Sequence, residues 1–315
     1  MKFDTASPIA DALDSTLEAF RSGDFDRAEA MAEKALALDF EHPAVQAALK
    51  CAVFWRDRLA RAAALPSPEE RSDFLLKEWA GFLNRFRAHL DEPFEDGIEA
   101  IRGAVFDRVA GWYLEQVAFE DESRQPDLQI KAAKAYKAQG SFDRAMEWLD
   151  KVLQGRPDDA GALAEMADCL EAVGNVPQSR LYFREAFYLN AQAVDVDHLR
   201  SEVLRALAET LAAQGLAGAE AKEWLPVYAV IQGIFNVKRD LKALELGQLK
   251  QNINALKSEL HDGSGAKALI LPKLFNRYFW LIDHYFSVKE DRSKIEDILL
   301  NIKLLDPKIY ELYTH

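Results

Sequence analysis

Cysteine is nearly absent from this chain. Two residues, Cys51 and Cys169, in a length of 315 leave no disulfide framework to hold the fold together. Each sits on an apolar helical face, so a buried free thiol is expected at both positions. Glycine and proline are also scarce, at 15 and 11 residues, and the commonest residues are helix formers. A nearly all-helical protein is expected. No apolar run is long enough to span a membrane, and the start Met1-Lys2-Phe3-Asp4 has no signal-peptide core, so a cytoplasmic protein with no membrane contact is expected. An excess of positive charge is missing as well. The net charge is −13, and residues 1–230 hold 41 acids against 26 bases, while 231–315 hold 11 against 13. An acidic body argues against direct nucleic-acid binding, which needs a basic footprint.

Catalytic constellations are lacking too. The six histidines, His42, His89, His198, His261, His284 and His315, are dispersed. Asp195-x-Asp197-His198 has ligand-type residues but no second cluster to complete a metal site, and reads as a solvated turn or helix cap. Asp283 and His284 are neighbours, and adjacent residues on a helix diverge too far to share a ligand easily. No glycine-rich phosphate loop follows a strand, and no Ser or Cys occupies a nucleophile elbow. The expectation is a protein without catalysis, cofactor or metal.

What the sequence does contain is an internal repeat. Tyr136, Gly140, Phe142, Ala145, Leu149, Val152 and Pro157 recur, 34 positions on, as Leu170, Gly174, Val176, Ser179, Phe183, Ala186 and Ala191. Small and apolar positions largely coincide, and a period of this size marks a stacked helical array. Locally, Leu128, Ala132, Ala135 and Tyr136 recur at helical spacing, Gly140 supplies a left-handed helix end, and Pro157 stops the second helix. Ser141 is placed to cap that second helix. The pattern Tyr-x3-Gly-x-Phe-x2-Ala, closing on a proline, resembles the tetratricopeptide repeat. The resemblance implies antiparallel helix pairs stacked into a right-handed superhelical α-solenoid. It is clearest over 126–193 and fainter over 9–42 and 276–309.

Five regions are read along the chain. Residues 1–42 form an N-terminal repeat-like pair, with Gly23, Phe25, Ala28, Ala32 and Ala35 repeating the later spacing. Residues 43–120 lose the period and read as three helices, about 43–63, 68–89 and 95–118, broken at Leu65-Pro66-Ser67-Pro68 and Leu90-Asp91-Glu92-Pro93. Their aromatics, Phe54, Trp55, Phe74, Trp79, Phe82, Phe86, Phe106, Trp112 and Tyr113, read as a bulky core or, alternatively, as an exposed groove for a partner helix. Residues 121–235 hold the repeats and a further pair starting near Asp197, after an insertion around Ala191–Asp197. Residues 236–262 form a long helix from Val237 with Leu246, Leu249, Ile253, Leu256 and Leu260 at heptad-like spacing. This seam packs along the array or joins two copies as a homodimer. Residues 263–315 return to the template from Asn276, with Glu290 in place of the turn glycine, so a different turn is expected there, and a short closing helix over Ile309 to Tyr313.

In the tetratricopeptide family the first helix of each pair lines the concave groove. The resemblance therefore places Asp127, Ile130, Lys134 and Lys137 of one repeat, and Asp168 and Glu171 of the next, at a peptide-binding groove. The family's carboxylate clamp is not matched, because Ile130 and Lys134 stand where a Lys–Asn pair would be expected. Lys131, Lys134 and Lys137 form a basic strip that suits an acidic peptide or simply a solvated, ion-paired face. The favoured function is a non-catalytic adaptor or scaffold for an unidentified protein or peptide. The alternative is a self-assembling structural protein using 237–260 and the aromatic middle.

Overall fold

The computed structural model describes residues 8–87, 94–236, 240–263 and 266–314. Among these the chain is all-α, with fifteen α-helices, two short 3-10 turns and no strand. In order they are α1 (Pro8–Ser22), α2 (Phe25–Leu38), α3 (Pro43–Ala63), α4 (Pro68–Arg87), α5 (Glu95–Val117), α6 (Gln125–Gln139), α7 (Phe142–Gly155) and α8 (Ala160–Ala172). There follow α9 (Val176–Asn190), α10 (Glu202–Ala213), α11 (Gly218–Ile231), α12 (Ala243–Asp262), α13 (Lys267–Ser287), α14 (Arg292–Leu305) and α15 (Pro307–Thr314). Helices pack on their chain neighbours in the manner of a helical repeat array. The chain divides between Trp148 and Leu149 into two compact units.

In the first unit α1 packs on α2, α2 on α3, α3 on α4 and α4 on α5. Helix α5 then packs back on α1, so five helices close a ring, and α6 adds to the outer side of α5. The sequence explains why α5 is the shared member. Gly97, Ile98, Ala100, Ile101, Val105, Phe106, Val109, Ala110 and Tyr113 are all buried and together spread over most of its circumference. Gly97 is required by packing, since a Cβ there would lie 1.9 Å from the Phe94 ring. The ring is filled by aromatics: Trp55 contacts Trp79 and Phe82 at ring-centroid distances of 5.7 and 5.2 Å, and Trp79 meets Phe106 edge-on at 5.3 Å. The core reading of these residues therefore holds for Trp55, Trp79, Phe82, Phe106 and Tyr113, all buried. The Leu90–Pro93 break lies outside the described residues.

In the second unit α8 packs on α9, α9 and α10 on α11, and α11 on α13. The insertion around Ala191 forms the two 3-10 turns, Ala191–Ala193 and Val196–His198, so α10 starts at Glu202 rather than near Asp197. Ala191, Val194, Val196 and Leu199 point these turns into the core. Helix α12 starts at Ala243, and Val237 lies outside the described residues. Its seam residues Leu249 and Ile253 are buried, with Leu246, Leu256 and Leu260 partly buried beside them, in a cluster dominated by α13. The lengthwise-packing reading of the seam is the one observed. Helix α13 runs continuously from Lys267 through Pro272, nine residues before the template start at Asn276.

One turn recurs in both units. At Gly23, Gly140, Gly174 and Gly215 the helix ends on a residue with φ between 71° and 89°. The next amide reaches back five residues to a carbonyl: Asp24 to Ala19, Ser141 to Tyr136, Asn175 to Leu170 and Leu216 to Leu211. This is the closure that left-handed helix ends make to satisfy otherwise orphaned carbonyls. At the end of α13 the same bond forms, Glu290 N–H donating to Tyr285 O over 2.9 Å. The left-handed residue there is Lys289, with φ 53°, so the turn does not differ as the glycine's replacement suggested. Backbone hydrogen bonding at the helix end outweighs the steric cost of a side chain in that region.

Candidate functional site

The residues placed at a groove by the repeat lie on α6 and α8. On α6, Asp127 and Lys134 are seven apart, as are Ile130 and Lys137, so at 3.6 residues per turn each pair lines up along one side. Asp127 is exposed in the first turn, Ile130 and Lys134 are half-buried, and Lys137 is only 5% exposed in the last turn. The α6 backbone is shaped by Pro126 at its first turn and by Gly140 at its end, where φ is 89°. Between them Leu128, Ala132, Ala133, Ala135 and Tyr136 are buried, which leaves Asp127 exposed and Ile130 and Lys134 half-buried, while Lys137 is buried with the apolar side.

The basic strip is not uniform. Lys131 turns to α4, where its ammonium donates to Glu69 over 2.8 Å, with Asp73 at 3.6 Å and the Tyr113 ring at 5.2 Å. Arg124 engages the same Glu69. The Glu69 carboxyl is held below the usual carboxylate range, chiefly by the Lys131 hydrogen bond. Burial and the Asp73 hydrogen bond push the Tyr113 phenol strongly up. Lys131 thus ties α6 to α4 and belongs to the fold of the first unit.

The acids on α8 also have structural work. Asp168 is 1% exposed, and its carboxylate accepts the backbone N–H of Arg200 over 2.8 Å and of Ser201 over 2.9 Å. Glu171 accepts the Ser201 hydroxyl over 3.0 Å, and Ser201 caps α10 at the Leu204 amide. Carboxylates at a helix N-terminus complement its dipole and satisfy orphaned N–H groups. These two acids therefore fasten the inserted segment to α8. Their spacing in the repeat carried no sign of this, because the partner amides lie about thirty residues away beyond the insertion.

A second polar cluster escaped the sequence reading. Arg184 on α9, 2% exposed, pairs with Asp283 on α13 and stacks over Trp280 at 4.6 Å. Arg277 donates to the Tyr188 carbonyl over 2.6 Å and lies 4.0 Å over the Tyr188 ring, and burial pulls its guanidinium below the ordinary value. Asp283 and His284 do diverge as expected: the His284 ring accepts the Leu241 amide over 3.4 Å instead. His198 contacts Asp195 at 3.0 Å in an exposed turn. Cys51 and Cys169 are buried free thiols, and burial pushes the Cys51 thiol up to about 12. Among the described residues no group of three or more His, Cys, Asp or Glu could hold a metal ion. No described helix is long and apolar enough to cross a membrane.

Residues 126–169 match the tetratricopeptide repeat family. The match covers α6, α7 and the start of the next pair, and supports assigning the chain as a divergent tetratricopeptide protein. Tetratricopeptide repeats generally serve protein interaction rather than catalysis. No curated protein matches the chain.

Proposed function

We propose that this protein is a non-catalytic adaptor that binds a protein or peptide on the outward side of α6. The tetratricopeptide match over 126–169 carries the reading. It is supported by the half-buried Ile130 and Lys134, which combine an apolar contact with a cation on one helix. Asp127 bounds this surface at the start of α6. Lys137 contributes at its base rather than its rim, being 5% exposed. Asp168 and Glu171 lie in the second unit, where they hold the start of α10, and are left out of this surface. Self-assembly through 237–260 has less support, since the Leu249 and Ile253 seam packs within its own chain.

The test is photo-crosslinking from position 130 in native lysate, with wild type beside Lys134→Glu. Circular dichroism establishes that both fold alike. A crosslinked protein that disappears in the Lys134→Glu variant is expected. Crosslinks unaffected by charge reversal, or only to a second copy of this chain, would remove α6 as the adaptor surface.

A further inference from the structure

A separate cleft of about 600 Å³ lies in the first unit, between the end of α1, the outer side of α5 and the α6–α7 turn. Two arginines flank it, Arg21 and Arg108, both exposed. Among the described residues neither has a carboxylate partner, although this chain carries thirteen excess negative charges. The Arg108 guanidinium rests at 5.9 Å over the Trp112 ring and reaches within 3.9 Å of where a Gly23 side chain would begin. The one carboxylate lining the cleft, Asp107, is already paired with Arg144 at 2.6 Å. On its far side Gln139 donates to Ser141 over 2.8 Å, while its carbonyl oxygen is shielded from water and accepts no hydrogen bond among the described residues.

The floor is Gly103 and Gly111 in the interior of α5, where glycine weakens a helix. Unlike Gly97, neither is forced by packing, because a Cβ at either position would meet nothing within 4 Å. The fold leaves this space unused.

We infer that the cleft seats a short peptide segment bearing an acidic side chain. Its carboxylate lies between Arg21 and Arg108, and its backbone passes over Gly103. Guanidinium groups suit a carboxylate because their N–H fork matches its two oxygens. Beyond Gly103 an adjoining depression, which Arg21 also lines, carries Asp96 and Glu99, and these two carboxylates repel a long acidic tract. This site is independent of the α6 surface proposed above.

The test uses a fluorescein-labelled eight-residue peptide of alternating alanine and glutamate, which offers an acid in every register, beside its alanine–glutamine counterpart. Fluorescence anisotropy of the full chain is expected to show saturable binding of the glutamate peptide, weakened by salt. Affinity is expected to fall tenfold or more for the glutamine peptide and for the Arg21→Ala/Arg108→Ala variant. Gly103→Leu, whose Cβ meets nothing within 4 Å, is expected to lose binding equally while unfolding no earlier than wild type. Equal binding of both peptides, retention by either variant, or no saturation at millimolar peptide would overturn the proposal. Loss in Lys134→Glu alone, with the cleft variants unaffected, would also overturn it and move the peptide to α6.

Discussion

The helices before residue 120 and those after residue 160 solve the same packing problem differently. In the first unit α5 returns to α1, and the enclosed space is filled by Trp55, Trp79, Phe82 and Phe106. In the second unit α8 to α15 stack onward, and buried polar groups join elements distant in sequence: Arg184 to Asp283, Arg277 to the Tyr188 carbonyl, Asp168 to the Ser201 amide. A closed ring can rely on non-directional apolar burial, because its members cannot slide far. A stack has an open end and an inserted segment, and directional bonds set where each element docks.

The largest effects should come from opening each core. Phe82→Ala is expected to cost about 3–5 kcal/mol through the cavity it leaves. Arg184→Met should cost a similar ~3–5 kcal/mol by taking the buried guanidinium away from Asp283. The two differ in repair. Adding Asp283→Leu to Arg184→Met should recover most of the loss, because both charges are then gone, whereas no single second change refills the Phe82 space. Urea unfolding of the four variants measures this, and failure of the double variant to recover would break the contrast.

Asp168→Ala should follow, at about 1.5–3 kcal/mol, for its charge-assisted bonds to the Arg200 and Ser201 amides. Hydrogen exchange should speed at those two amides and not at Leu211, which would sharpen the view that directional bonds position the insertion. Lys289→Gly should stabilise by about 1 kcal/mol by relieving a left-handed side chain, while Gly140→Ala destabilises by about as much. Thermal melting resolves both signs.

The smallest effect concerns pH. Glu69 has a lower pKa folded than unfolded, so its contribution is present above the unfolded carboxylate range and is lost as pH falls through the folded value. Acid should therefore loosen α4 from α6, and Lys131→Met should flatten that part of the stability profile. A profile unchanged by the substitution would show that Glu69 is held by Arg124 alone.

Local features were legible because they depend on near neighbours. The helices expected over 43–63 and 95–118 match α3 and α5, and the one expected over 68–89 matches α4 as far as Arg87, beyond which its end lies outside the described residues. The glycine turns at 23, 140, 174 and 215 were readable for the same reason. The seam of α12 was visible as a pattern, but its partner was not, since apolar spacing does not say whether α13 or a second copy covers it. Asp168 and Glu171 looked like groove residues because the family template says nothing of an insertion. The Arg21 and Arg108 cleft left no local trace at all, its walls coming from residues about ninety positions apart.

By itself the sequence determined the helices, their turns and the tetratricopeptide period, because hydrogen bonding and side-chain spacing act within a few residues. Only the tertiary structure decided which faces meet: that α5 closes on α1, that α13 takes the α12 seam, and that α8 acids hold α10. Those choices rest on the summed burial and pairing of distant side chains, which no stretch of sequence carries alone.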